Sequence, residues 1–355
     1  MGHHRILGRV PFEPPPDRRQ SRRITVWRWV SFAMALALVL TVAYLGYLGY
    51  QGSQVFGANP RTGDCRTPGS AFGWSYEAIN YDISTDAELD AFADRRDCAR
   101  VGQPAGSDLT SADGTRIAGW YVPAAQGGAT TATVVLAHDQ GKNKSDMLAW
   151  AESLHASYNL VMFDFRNHGQ SSGRTTTLGV REVTDLRAVI DWVEEEKPPA
   201  SIAVLGVSMG GAAAINEAGE DDRVAAVILD SMHATVANAL QARLEADGFP
   251  LALPGAWSIL LGGLLRTGED MSAVDPVQAI GRIGERPVLI VAAGQDAEVG
   301  AADADDLVAA GRAEGASVEL VSCPTAAHAS SVVACPAEYA AWALGFLERS
   351  LPPLP

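Results

Sequence analysis

The stretch Ile202–Gly219, IAVLGVSMGGAAAINEAG, runs from a short apolar segment through Gly-x-Ser-x-Gly around Ser208 into small, helix-forming residues. A strand, a sharp turn and a helix in that order would lift the Ser208 hydroxyl clear of the backbone, the arrangement a serine nucleophile needs. The glycines follow from sterics, because a side chain at Gly206 or Gly210 would collide with neighbouring backbone in so tight a turn. With 35 glycines among 355 residues, the pattern also arises by chance. GQSSG at residues 169–173 repeats it around Ser171, but inside the polar loop RNHGQSSGRTTT, with no strand before it and no helix after. Context therefore makes Ser208 the candidate nucleophile, with a structural turn serine as the alternative.

Working outward from this stretch, short apolar runs alternate with amphipathic ones. TRIAGWYV reads as an early strand, and ATVVLAH, NLVMFDF, SIAVLGV, VAAVILD and RPVLIVAA read as five buried strands. Continuous apolar runs are expected of parallel strands covered on both faces. SDMLAWAESLHA, VTDLRAVIDWVEEE, GGAAAINEAG and PAEYAAWALGFLERS carry helical spacing, and Gly219 is placed to cap the third of these. From Met232 to Glu285 runs an insertion too long for an ordinary connection. It reads as a small helical cap. Its apolar part, LALPGAWSILLGGLL, is interrupted by Pro254 and Gly255 and is expected to pack on the core rather than span a bilayer.

Residues 29–60 carry no charge, and WVSFAMALALVLTVAYLGYLGY within them has 22 residues, against the roughly 20 a helix needs to cross a membrane. Arg18, Arg19, Arg22, Arg23 and Arg28 precede it, which puts the N-terminus in the cytoplasm and the rest outside. A cleaved signal peptide is the alternative, although the apolar run is long for one and only VFG at 55–57 resembles a cleavage site. The organisation expected is a basic cytoplasmic tail over 1–26, a transmembrane helix over 27–50, a juxtamembrane segment over 51–105, and a main domain over 106–350 with its cap at about 232–285.

Of 27 basic and 42 acidic residues, the first 50 positions hold 7 and 2, so the exported part has 20 basic against 40 acidic. Such a surface repels nucleic acid. The cysteines, Cys65, Cys98, Cys323 and Cys335, all fall on the exported, oxidising side, and proximity favours the pairs Cys65–Cys98 and Cys323–Cys335. Their spacing fits no zinc motif, and no metal or cofactor is expected.

TSADGTRIAGWYVPA, VVLAHDQGKNKSD, VMFDFRNHGQSSG, LGVSMGGA and ILDSMHAT occur in an order and spacing that resemble the α/β-hydrolase superfamily over roughly residues 108–349. In detail the chain is similar to bacterial members of the BEM46 type and acyl-thioesterase-like hydrolases, including exported actinobacterial ones. The resemblance implies an α/β fold with a mostly parallel central sheet, helices on both faces and a nucleophile–acid–histidine order along the chain. It points to Asp296, after RPVLIVAA, as the acid, with Asp230 as rival, and to His328, the one histidine after residue 233, as the base. The backbone amides of Met209 and Gln140 would form the oxyanion hole. The chain departs from the family at Asp139, where the loop usually has glycine, and at Ala327 before the histidine. A carboxylate aimed at the hole would oppose a developing oxyanion; one turned to the backbone would not.

These residues together imply a membrane-anchored, exported serine hydrolase acting on a small-molecule carboxylic ester or thioester. A peptidase or amidase with the same residues is the nearest alternative, and a catalytically weak binding protein the more distant one.

Overall fold

The structure is a computed structural model and describes residues 18–57, 65–82, 103–104, 108–126 and 131–351. It divides into two units between Tyr47 and Leu48. In the first, the helix Arg18–Gly52 begins and exposes Trp27, Trp29, Phe32, Leu36 and Leu40. Val26–Phe56 is long and apolar enough to cross a membrane, by length and composition.

The second unit is built on an eight-stranded sheet. In chain order its strands are β1 (Glu77–Ile79), β4 (Gly119–Val122), β5 (Thr133–Ala137), β6 (Asn159–Phe163), β7 (Ile202–Val207), β8 (Val224–Asp230), β9 (Pro287–Ala293) and β10 (Ser317–Cys323). A separate two-stranded ladder joins β2 (Tyr81–Asp82) to β3 (Gln103–Pro104). The order across the large sheet is β1-β4-β6-β5-β7-β8-β9-β10. β4 runs antiparallel to β1 and β6, and the strands from β6 to β10 are parallel.

Alternate residues explain why the central strands are apolar throughout. Val135, Val161, Val204 and Val227 join a core completed by helices Glu182–Glu196, Met209–Ala218 and Ala301–Ala313. Leu136, Met162, Leu205 and Ile228 face the other way, into a core closed by helices Leu148–Leu154 and Pro336–Ser350. Strands covered on both faces cannot alternate polar and apolar residues. The connection from β5 goes to one side, to β6, while β7 lies on its other side. Loops leaving the carboxyl ends of β5 and β7 therefore diverge around a crevice, where sheets of this kind bind ligands.

Several expectations are modified. Of TRIAGWYV only Gly119–Val122 enters the sheet, because Thr110 and Arg116 are tied in an isolated antiparallel bridge instead. Segment 51–105, whose composition carries little signal, supplies the edge strand β1 and the helix Pro68–Phe72, capped by Thr67. Gly219 closes its helix with ordinary right-handed φ (−69°), so its backbone freedom is not used. Packing explains the residue instead: a Cβ there would lie 3.0 Å from the Ala279 carbonyl oxygen.

The cap holds helices Val236–Ala246, Ala252–Thr267 and Pro276–Arg282. Pro254 and Gly255 do not interrupt the second of these. Pro254 falls in its first turn, where the missing N–H has no intrahelical partner to lose. Gly255 lets Leu244 and Leu48 approach to 2.9 and 3.1 Å of where a Cβ would sit.

Residues 48–57 are part of this second unit. A Cβ on Gly262 would meet the Gly49 carbonyl at 2.4 Å, and one on Gly263 would meet the Phe56 ring at 2.9 Å, so helix Ala252–Thr267 lies directly on the segment. Phe56 is fully buried, and its carbonyl accepts the Thr176 amide at 3.1 Å. Asn167 Nδ2 donates to the Gly57 carbonyl at 2.9 Å.

Candidate active site

β7 ends at Val207 and the chain turns at once into helix Met209–Ala218. Ser208, between them, has φ 51° and ψ −113°, a conformation L-residues rarely adopt. The flanking glycines make it possible: a Cβ at Gly206 would sit 2.3 Å from the Gly210 carbonyl oxygen, and one at Gly210 would sit 2.2 Å from that of Ala137.

Ser208 Oγ lies 2.9 Å from His328 Nε2, and His328 Nδ1 lies 2.8 Å from Asp296 Oδ2. The three residues come from loops after β7, β9 and β10, so the sheet converges them from positions as much as 120 residues apart. Asp296 Oδ1 accepts the amides of Glu298 at 2.8 Å and Val299 at 2.9 Å, which leaves Oδ2 to the imidazole. The loop carrying His328 is fixed on both sides. Gln295 N–H donates to the Ala326 carbonyl at 2.8 Å, and Ala329 N–H donates to Ser231 Oγ at 3.0 Å. A disulfide between Cys323 and Cys335, with Cα atoms 6.1 Å apart, closes the segment that contains it. Cys65 is also disulfide-bonded, and Cys98 lies outside the described residues.

Asp230, the rival acid, is fully buried and its carboxylate is engaged elsewhere; it accepts from Trp150 Nε1 at 3.1 Å and from Ser231 Oγ at 3.1 Å. Burial raises its pKa. Ser171 is buried as well: its hydroxyl donates to the Asp164 carbonyl at 2.5 Å and accepts the Ala118 amide at 2.9 Å. These two bonds tie the polar loop to the residue before β4 and the residue after β6, and give Ser171 a structural task.

The loop after β5 is held by two histidines. His138 Nδ1–H donates to the Asp139 carbonyl at 2.7 Å while Nε2 accepts the Phe165 amide at 3.0 Å. His168 Nδ1–H donates to the Arg166 carbonyl at 2.8 Å, and its Nε2 accepts the Gly141 amide at 3.0 Å. Burial keeps both neutral, with the His138 pKa pushed down to about 3. Lys144 and Asp164 form a buried ion pair beneath the same loop.

The two expected oxyanion donors differ. Met209 opens its helix, so its N–H has no carbonyl partner within the helix. Gln140 N–H, by contrast, donates to Asp139 Oδ1 at 2.6 Å. The Asp139 carboxylate does bond to backbone, but the amide it takes is the one expected for the hole. Its Oδ2 lies 3.8 Å from His328 Nε2.

Burial alone would lower the His328 pKa. The hydrogen bond to Asp296 and the charges of Asp139, Asp296 and Glu298 outweigh it and raise the value to about 9.

Beside Ser208 and His328 opens a cavity of about 410 Å³. Val236, Leu240, Leu244 and Ile259 of the cap line it together with Gly52 and Val55, and Arg243, Asp247 and Glu298 stand at its polar side. Arg243 pairs with Glu298 at 2.6 Å. Sequence reading missed the contribution of Gly52 and Val55, because nothing local links them to residues nearly 200 positions on.

A family model described as the alpha/beta hydrolase fold matches residues 133–267. An uncharacterized protein of Mycobacterium tuberculosis, Rv2307c, is 31% identical over 212 residues, covering 58% of this chain and 68% of that protein. The chain belongs to the alpha/beta hydrolase superfamily. The uncharacterized protein YfhR of Escherichia coli K12 is 30% identical over 151 residues, 41% of this chain, and the match spans about half of that relative (52%). Among solved structures, the esterase Pf2001 of Pyrococcus furiosus superimposes with a TM-score of 0.64 at 21% identity, covering 84% of this chain and 99% of that one. Est1E of Butyrivibrio proteoclasticus, with ferulic acid bound, gives 0.52 at 18% identity, covering 68% and 99%. At these identities the structural likenesses speak for the fold alone, a mostly parallel sheet with helices on both faces.

Proposed function

We propose that this hydrolase cleaves carboxylic esters or thioesters through an acyl-enzyme on Ser208. The observation that carries the proposal is the continuous hydrogen-bond chain from Ser208 Oγ through His328 to Asp296. A serine hydroxyl is too weak an acid to ionise unaided. Neutral His328 accepts its proton through Nε2 as Oγ attacks the carbonyl carbon; Asp296 fixes the tautomer and stabilises the imidazolium. His328 then returns the proton to the leaving oxygen or sulfur, and water repeats the sequence to release the acid. Met209 N–H, and Gln140 N–H once freed from Asp139, stabilise the tetrahedral intermediate.

We propose also that the N-terminal helix is retained as a membrane anchor with the hydrolase unit outside. Burial of Phe56 and the bonds to Phe56 and Gly57 support this, since cleavage near residue 57 would cut through packed structure. The disulfide supports an oxidising compartment. The test of the chemistry is labelling with a fluorophosphonate followed by a panel of esters and thioesters. Labelling at Ser208 with ester turnover is expected; turnover of amides alone would favour the peptidase reading.

A further inference from the structure

We infer that the substrate is a membrane-resident acyl ester, taken up from the bilayer surface between residues 52–55 and the cap helix Ala252–Thr267. This rests on the hydrolase reading above and on retention of the anchor, and it names the substrate class for that same site.

Three observations converge. The first is the origin of the cavity wall. Gly52 and Val55, which line the cavity with Ser208, belong to the uncharged run of residues 29–60 that also holds the membrane-crossing candidate. Residues 48–52 follow directly on Tyr47 in the chain and are the last residues of helix Arg18–Gly52. Val55 lines the cavity yet stays 55% exposed, so the cavity's apolar wall continues onto the outer surface.

The second is the two-faced character of helix Ala252–Thr267. Gly255, Ala256, Ile259, Leu260 and Gly263 face inward. Leu253, Trp257, Leu261, Leu264 and Leu265 are exposed, Leu265 at 80%, and their spacing sets them along one stripe of the helix. Phe249 and Leu251 extend the stripe at its start. No charged residue occurs from Phe249 to Leu265. Monomeric soluble proteins rarely expose contiguous apolar patches larger than a few hundred Å², and this stripe carries seven large apolar side chains.

The third is the direct seating of this helix on the juxtamembrane segment. Gly49 and Gly262 touch backbone to backbone, and Phe56 lies against Gly263. The helix that carries the stripe therefore packs on residues 49–56, which belong to the same uncharged run as the membrane-crossing candidate, and this continuity commits the stripe's occupant: the bilayer surface. A helix whose outward face carries leucines and a tryptophan while its inward face packs on protein is suited to the headgroup boundary. A lipid whose headgroup sits at that level can pass its acyl chain along Val55 and Ile259 into the cavity, where Val236, Leu240 and Leu244 enclose it and bring the ester carbonyl to Ser208.

The experiment uses the full chain reconstituted in phosphatidylcholine nanodiscs. Leu261→Cys carries an environment-sensitive fluorophore, and doxyl-labelled phosphatidylcholine is the quencher. Hydrolysis of a monoacylglycerol with a long acyl chain, dissolved in the bilayer, is compared with that of a water-soluble acetyl ester, for the parent protein and for Trp257→Glu/Leu261→Glu. Quenching of the label is expected, together with a tenfold or greater loss of monoacylglycerol hydrolysis in the double variant and acetyl-ester hydrolysis within twofold of the parent. An unquenched label, quenching by a second labelled copy in place of lipid, or equal effects on both substrates would overturn the inference. Fluorophosphonate labelling without hydrolysis of either ester would instead strike the proposed function, which keeps the two failures apart.

Discussion

Asp139 accepts the amide hydrogen of its neighbour Gln140 at 2.6 Å, so the carboxylate that stands in the glycine position of the oxyanion loop engages one of the two amides expected to bind the oxyanion. Loss of one oxyanion donor costs about 10²–10³ in kcat elsewhere, so the position of this one side chain weighs heavily on the rate.

Replacing Asp139 with glycine frees the Gln140 amide and removes a negative charge from beside the nascent oxyanion. Asp139→Gly is expected to raise kcat on an acetyl ester by about tenfold or more, measured with steady-state kinetics alongside the rate of fluorophosphonate labelling. A fall in both rates would mean that the carboxylate assists the reaction.

The pH dependence follows from His328, whose pKa is raised to about 9. In the proposed mechanism His328 works as a neutral base, so kcat/KM is expected to climb with pH toward that value. Asp139→Asn removes one of the charges responsible and is expected to move the rising limb to lower pH. Because the folded value exceeds the ordinary 6.5, protonated His328 contributes stability that is complete below about 6.5 and disappears as pH rises through about 9. Thermal melts across that window, with His328→Gln as control, measure the loss.

Ser208→Ala is expected to abolish fluorophosphonate labelling. Ser171→Ala should leave labelling intact and lower stability by about 1–3 kcal/mol, since the Ala118 amide loses its buried acceptor. Label recovered on a peptide containing Ser171 would reverse the assignment.

The Cys323–Cys335 disulfide spans 12 residues and encloses His328. Closing so short a loop is worth about 3 kcal/mol in the chain-entropy account. Cys335→Ser is expected to lower the melting temperature, and to depress activity at temperatures where circular dichroism still reports a folded domain, because a small displacement of the imidazole from Ser208 slows proton transfer.

Protease added to intact cells is expected to reach the hydrolase unit while sparing the tail before residue 27. N-terminal sequencing of the membrane fraction should find residues 48–57 still attached. A soluble product beginning near residue 58 would identify the segment as a cleaved signal.

The sequence by itself determined the sheet and the point from which the candidate site is built. Strands buried on both faces must be apolar at every position, so Thr133–Ala137, Asn159–Phe163 and Ile202–Val207 could be read directly. The Gly206 and Gly210 requirement is local too, because the clashes a Cβ would cause arise within a few residues of the turn or at the strand beside it. Family order then nominated Asp296 and His328. Tertiary structure decided what depends on contacts between distant segments or on a single side-chain rotation. The strand β1 pairs through backbone groups that any residue carries, so its composition held no signal. Asp139 could turn either way until its hydrogen bond to Gln140 fixed it. The cavity wall depends on Gly52 and Val55 meeting Ile259 across some 200 residues, and the outward stripe from Leu253 to Leu265 became visible only when the opposite face of the same helix was found buried. Periodicity along a chain records that a helix has faces; only packing determines which face meets protein and which is left for another surface.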